Sequence, residues 1–305
     1  MSVNNAIGID IGGTKIAGGI VSPSGELLHQ VEKPTDPESP ESILSTIAEI
    51  VSELPPDNIQ PAIGVAVAAF LDNQREKIYF SPNIVWENFP LRQRLEDVLL
   101  RPVVIENDAN AAGWAEYRFG AAEESESMMM LTMGTGVGGA VVDQGRLVVG
   151  GFGSAGELGH IIIRPGGLLC GCGNRGCLEQ YASGTALMRD ARRALDNPEL
   201  TSLELTTLLE AGDPPAIEVF RGVCDSMGLG IASLVAVTDP DTVVIGGGVA
   251  RAGSLLAELI TESFKSHYGS TTKKPTARIV VAKLSNTAGM IGAADLARER
   301  RGART

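Results

Sequence analysis

One histidine and three cysteines, His160, Cys170, Cys172 and Cys177, are spaced His-x9-Cys-x-Cys-x4-Cys. Three thiolates and one imidazole complete the tetrahedral shell of a zinc ion and leave no place for water. Such a metal would be structural rather than hydrolytic. Glycines at 166, 167, 171, 173 and 176 let the loop fold back so that the sulfurs converge. A disulfide is the alternative, disfavoured because no basic segment followed by an apolar run opens the chain. Zinc would hold the loop with roughly 10–16 kcal/mol of apparent binding free energy. Two acids flank it, Glu157 and Glu179. With Asn107 and His160 they have the donors and acceptors to bind hydroxyl groups of a polyhydroxylated ligand, or the acids are simply solvated. If one ring nitrogen of His160 takes the metal, the other is free for an acceptor or a ligand hydroxyl.

Three glycine-rich turns each follow a strand-like segment. They are Asp10-Ile11-Gly12-Gly13-Thr14-Lys15, Gly134-Thr135-Gly136-Val137-Gly138-Gly139 and Gly246-Gly247-Gly248-Val249. Glycine lets backbone N–H groups approach phosphate oxygens, and threonine adds a donor. Each alone could be a plain hairpin; three, with Asp10 at the first, point to a nucleotide. None has the P-loop spacing or the dinucleotide-binding spacing. Asp108 opens a helix after a strand, either as its cap or as a base toward a hydroxyl nucleophile. The helix N-terminus should lower its pKa. A weak base still serves in phosphoryl transfer, where the proton leaves late.

The elements around these residues form a pattern that occurs twice. Ala6–Ile9, Ile16–Val21 and 26–31 are expected as an antiparallel meander. Ser39 and Pro40 should start a helix with Ile43, Leu44, Ile47, Ile50, Val51 and Leu54 on one face. A buried strand at 63–68, a helix around Leu91–Leu99, a strand at 103–106 and a helix at 109–119 follow. The meander then returns at 128–133, 140–142 and 146–149. Helices are expected at 182–195, 202–209, 217–237, 255–268 and 288–298, with strands at 241–245 and 278–282. Gly212-Asp213-Pro214-Pro215 should break the chain, and the basic tail 298–305 should be a solvated end. Cys224 stands alone in an apolar pattern and should be a buried small hydrophobe. A duplicated α/β lobe accounts for the whole.

The chain has 305 residues, 44% of them apolar, enough for two lobes. Its net charge of −12 argues against nucleic acid and anionic membrane as partners. No uninterrupted apolar stretch reaches about 18 residues, so a cytoplasmic protein is expected.

Together these motifs resemble the ROK family of sugar kinases and sugar-responsive repressors, within the actin-like ATPase superfamily. The carriers are Asp10–Thr14, Glu106-Asn-Asp-Ala-Asn110, Leu131–Gly139, Glu157-Leu-Gly-His160, Cys170–Glu179 and Val243–Gly248, spread over nearly the whole chain in the family's order. Ser81–Trp86 and Glu116–Gly120 resemble the glucokinases of the family in particular. The resemblance implies an α/β fold of duplicated actin-like (ribonuclease H-like) lobes with a cleft between them. The small lobe would comprise 1–117 and 291–305, and the large lobe, with the zinc loop, 118–290. It implies ATP-dependent phosphorylation of a hexose, glucose foremost, with Asp108 as base on the 6-hydroxyl. Asp10, Gly12, Gly13 and Thr14 would form one phosphate turn, and Thr135 and Gly136 the other. Gly246, Gly247 and Gly248 would flank the adenosine, and Mg²⁺ would lie near Asp10. Asn83, Asn107, Glu157, His160 and Glu179 would hold the sugar. A homodimer or homotetramer is implied as well.

Another hexose (mannose, fructose or an N-acetyl amino sugar) or polyphosphate as donor stays open. A repressor is disfavoured, because only nine residues precede Asp10 and leave no room for a helix-turn-helix. Many members carry Pro-Gly where this chain has Ala68-Ala69-Phe70, which puts family contacts around Ala69 in doubt.

Overall fold

The computed structural model describes residues 5–55, 61–269 and 275–302. Strands β1 (Ala6–Ile11), β2 (Lys15–Val21) and β3 (Leu27–Pro34) form the first meander. Helix α1 (Pro40–Glu53) follows, with Ser39 accepting the Ser42 amide and Pro40 in the first turn. Next come β4 (Ala62–Val67), three short strands β5 (Phe70–Leu71), β6 (Ile78–Phe80) and β7 (Glu87–Phe89), and α2 (Leu91–Leu99). Then β8 (Val103–Asn107) runs directly into α3 (Asp108–Phe119).

The second half repeats the plan with β9 (Ser127–Met133), β10 (Val137–Asp143) and β11 (Arg146–Leu147). Helices α4 (Glu179–Ala182), α5 (Gly184–Ala194), α6 (Ser202–Glu210) and α7 (Pro214–Thr238) intervene. Then come β12 (Thr242–Gly246), α8 (Ser254–Tyr268), β13 (Arg278–Val281) and α9 (Ala288–Gly302).

The sheet orders are β3-β2-β1-β4-β8 and β11-β10-β9-β12-β13. In each, two antiparallel pairings are followed by two parallel ones. The expected duplication is therefore real at the level of strand order and direction. Each sheet has its own apolar core, one around Ile9, Ile47 and Leu95, the other around Leu131, Phe220 and Ile231. The helix after each final strand crosses to the other half: α9 lies on β1 and β4, α3 lies on β10, and the two helices pack together. Contact is close enough that a Cβ on Gly8 would stand 1.9 Å from the Met290 carbonyl oxygen, and one on Gly64 1.8 Å from that of Ala293.

Several expectations are corrected. Gly138 and Gly139 belong to β10, so the second turn is only Gly134–Gly136. The helix expected at 182–195 is α5, starting two residues later, because Ser183 ends the short α4 and caps α5 by accepting the Ala186 amide. Pro214 and Pro215 start α7, where their missing N–H groups cost nothing, and Asp213 caps it. The sheet β5-β6-β7 has no counterpart in the expected elements, since strands of two or three residues carry no period. Arg298 is no frayed tail residue: it donates to the Val21 and Ser22 carbonyls at 3.0 Å. The last part of that tail, 303–305, lies outside the described residues. Cys224 is buried, which pushes its thiol up to about 12. Helix α7 is long and apolar enough to cross a membrane by length and composition, and it packs inside the molecule against α4, α5, α6 and α8.

Candidate active site

The residues singled out for chemistry gather at the carboxyl ends of strands. Asp10 lies near the end of β1, Asp108 directly follows β8, the Gly134–Gly136 turn follows β9, and Gly246 ends β12. Ligands of open α/β sheets bind at such ends, where loops and helix N-termini leave room.

Asn107, not Asp108, caps α3. Its Oδ1 accepts the Asn110 amide at 3.0 Å, and its Nδ2 donates to the Ala69 carbonyl at 3.3 Å. Asp108 holds the first helical position with no capping duty. The expected lowering of its pKa does not occur. Burial raises it, outweighing the lowering by the Ala109 amide and its own. Desolvation of a carboxylate exceeds the stabilisation that two backbone dipoles return.

Asp10 is pushed to about 7, first by burial and then by the Asp108 charge, with Lys15 acting in the opposite sense. Lys15 itself pairs with Glu32 at 2.7 Å. The Glu157 pKa is raised by burial, lowered by His160, and raised again by Asp108 and Glu179. Asp108 thus acts on both Asp10 and Glu157, and Glu157 also feels Glu179. The four acids share one electrostatic neighbourhood spanning the first sheet and the thiol loop.

His160, Cys170, Cys172 and Cys177 have converged, with one donor atom from each inside 4.8 Å of all the others. Cys170 Sγ lies 3.6 Å from His160 Nδ1, and Cys172 Sγ lies 3.6 Å from Cys177 Sγ. Tetrahedral sites with zinc–sulfur bonds of about 2.3 Å give ligand separations of this size. The cysteines are free thiols, so the donor set fits zinc and not a disulfide. With Nδ1 on the thiol side, His160 Nε2 faces Glu157, 3.9 Å from its Oε2.

Glu179 divides its carboxylate. Oε2 accepts the Val137 amide at 3.1 Å, just past the second turn, and Oε1 is 3.5 Å from Cys170 Sγ. A Cβ on Gly136 would stand 2.3 Å from Oε2. The thiol loop and the second turn are therefore built against each other.

The Thr135 carbonyl accepts the Thr185 hydroxyl at 2.7 Å, and that of Gly134 accepts the Gly184 amide at 2.8 Å. Gly247, at φ 85°, abuts Met133 at the foot of this turn. The third glycine-rich turn thus joins the second. In the first turn the Gly12 amide donates to Lys15, and the Thr35 hydroxyl donates to the Gly12 carbonyl. Gly13 sits beside Asn83, which is exposed, as is Thr14. Gly248 borders open space.

Arg75 was not anticipated, and Glu106 was read only as part of a motif, with no role of its own. Glu106 is a charged residue inside the otherwise apolar first part of β8, a signal that was available. Arg75 sits in a polar turn, and only the fold reveals that it is buried. Gly289 of α9 was missed too: a Cβ there would stand 2.9 Å from Asp10 Oδ2.

A sequence model of the ROK family matches residues 6–300. The chain is 40% identical to a glucokinase of Streptomyces coelicolor over 96% of its length and 97% of the relative. It is 33% identical to an N-acetylmannosamine kinase of Escherichia coli O139:H28, over 95% of this chain and 97% of that one. Its fold matches the crystal structure of a ROK family glucokinase from Streptomyces griseus in complex with glucose and AMPPNP. That match has a TM-score of 0.86, 39% identity, and covers 97% of this chain and all of the other.

Proposed function

The chain belongs to the ROK family, and from that premise we propose that it transfers the γ-phosphoryl group of ATP to the 6-hydroxyl of glucose, giving glucose 6-phosphate and ADP. The observation that carries this is the gathering of Asp108, Asp10 and Glu157 into one electrostatic neighbourhood, with Glu179 of the thiol loop bonded to the start of β10 beside the second turn. One base thereby faces both a phosphate turn and a set of hydroxyl-binding groups. Likeness to glucokinases along the whole chain supports the same activity.

Asp108 would take the proton of the attacking hydroxyl. Its raised pKa makes it a stronger base than an ordinary aspartate. Asp10, Gly12, Gly13 and Thr14 would line one side of the phosphates and Thr135 with Gly136 the other, with Gly246–Gly248 beside the adenosine. Mg²⁺ held near Asp10 would neutralise phosphate charge. Glu157 and the free edge of His160 would bind sugar hydroxyls with Glu179, Asn83 and Asn107. Asn107 has one amide hydrogen left for this after its bonds to Asn110 and Ala69. Zinc on His160, Cys170, Cys172 and Cys177 would supply rigidity to that wall. The lobes would be 1–117 with 291–305 and 118–290, closing to keep water from competing with the sugar. A cytoplasmic homodimer or homotetramer completes the proposal.

The E. coli relative favours a second substrate, an N-acetyl amino sugar. A coupled assay over glucose, mannose, fructose and N-acetylmannosamine, with ATP or polyphosphate as donor, separates them. Glucose with ATP should give the highest kcat/KM. Faster turnover of another pair overturns the assignment.

A further inference from the structure

Arg75 is fully buried, at 0% exposure, and stands on left-handed backbone at φ 57°. A long side chain is rarely found there, and such residues persist only where their surroundings over-determine them, commonly at working sites. Its Nε donates to Glu106 Oε2 at 3.0 Å, and its Nη2 lies 2.8 Å from Oε1. Its Nη1 donates to the Asp72 carbonyl at 2.9 Å and to the Gly153 carbonyl at 3.1 Å.

Gly153 belongs to the segment between β11 and Glu157. A second bond runs parallel, Asn73 Nδ2 to the Gly151 carbonyl at 2.8 Å. Gly153 adopts φ 87°, and a Cβ on it would stand 2.3 Å from the Leu71 carbonyl oxygen and 2.8 Å from Arg75 Nη1. Only glycine seats there. Glu106 carries the connection onward. Its Oε1 accepts the Asn107 amide at 3.0 Å and Asn110 Nδ2 at 3.1 Å, on either side of Asp108 in sequence.

One guanidinium therefore joins the segment that ends in Glu157 to the corner that bears Asp108. A buried ion pair adds little net stability, because desolvation offsets its attraction. What a planar fork does supply is fixed geometry. We propose that the Asp72–Arg75 turn is a clasp that sets the position of Glu157 relative to Asp108, with Arg75 as a positioning residue for the sugar acceptor. This rests on the sugar-kinase assignment above.

The test compares Arg75→Lys, which keeps the charge and loses the fork, with Asn73→Ala, which removes an exposed contact without disturbing the core. In Arg75→Lys the glucose KM should rise about 10-fold or more while the ATP KM stays within about twofold, since small misplacements of a binding group are costly. A merely structural role would lower Tm and kcat and leave both KM values in place, and that result overturns the proposal. Should Arg75→Lys fail to fold, Asn73→Ala decides: amide exchange across 148–157 should quicken and the glucose KM rise about threefold. Unchanged exchange there overturns the clasp. Failure of the wild type to phosphorylate glucose would strike the assigned activity alone, and exchange would still decide the clasp.

Discussion

In the first sheet Asp10 lies near the end of β1, just before the glycine turn, and the final strand β8 delivers Asp108. In the second sheet the turn after β9 holds Thr135 between two glycines, and the final strand β13 leads toward Ser285–Thr287 and α9. Strand order and direction are the same in both. Duplication has supplied matching frames, and charge has been placed on one of them. The acid-bearing side is suited to accept a proton and to sit beside a phosphate-bound cation. The neutral side offers backbone amides that, in the proposed reaction, would approach phosphate closely. Its wall is completed by the thiol loop through Glu179, a device with no equivalent in the first half among the described residues.

The largest expected effect tests that asymmetry directly. Asp108→Ala should lower kcat about 10²–10⁴-fold, whereas Ser285→Ala, in the connection between β13 and α9, should leave kcat within about twofold. Steady-state kinetics on both read it, and equal effects would erase the distinction.

Next is the thiol loop. Purified protein should contain about one zinc per chain, and stripping it should raise the glucose KM by roughly 10–100-fold with less effect on ATP. Metal analysis finding no zinc ends that prediction.

Glu157→Gln should raise the glucose KM about 10-fold, the worth of one hydrogen bond to a charged group. Glu179→Gln should move the ATP KM as well, because its carboxylate also holds the Val137 amide beside the second turn. Smaller still is a contrast within that turn. Gly136→Ala should raise the ATP KM several-fold by displacing Glu179, while Gly134→Ala, which meets nothing within 4 Å, should not.

The smallest effect is on pH and stability. Asp10 titrates near 7 in the fold against 3.8 in the unfolded chain, so the folded state binds the extra proton between those values. Its contribution is complete below 3.8 and is lost progressively as pH rises to about 7. Ligand-free Tm should therefore decline from about pH 4 to 7, and Asp10→Asn should flatten the decline.

Much of the site was legible because it is local in sequence. The His-x9-Cys-x-Cys-x4-Cys spacing already contained the Cys/His cluster, and the glycine-rich turns marked the strand ends. The Ser39-Pro40 cap and the face from Ile43 to Leu54 gave α1. Two features misled. Asp108 was expected to have a lowered pKa from the one dipole visible in sequence, whereas burial, a property of distant elements, prevailed. The segment 72–90 carries no period of 2 or 3.6 because its strands are two or three residues long.

The amino-acid order by itself determined the repeated strand pattern, the thiol cluster and the helix-opening acid, since each depends on neighbours within about twenty residues. Only the folded chain decided that α3 and α9 exchange halves, that Asn107 relieves Asp108 of capping, and that Arg75 reaches both Glu106 and Gly153. The helix exchange and the reach of Arg75 depend on which surfaces meet across more than thirty residues of chain, and no local spacing encodes a partner that distant; the Asn107 cap is local, but Asn and Asp cap equally well, so the order of residues did not choose between them.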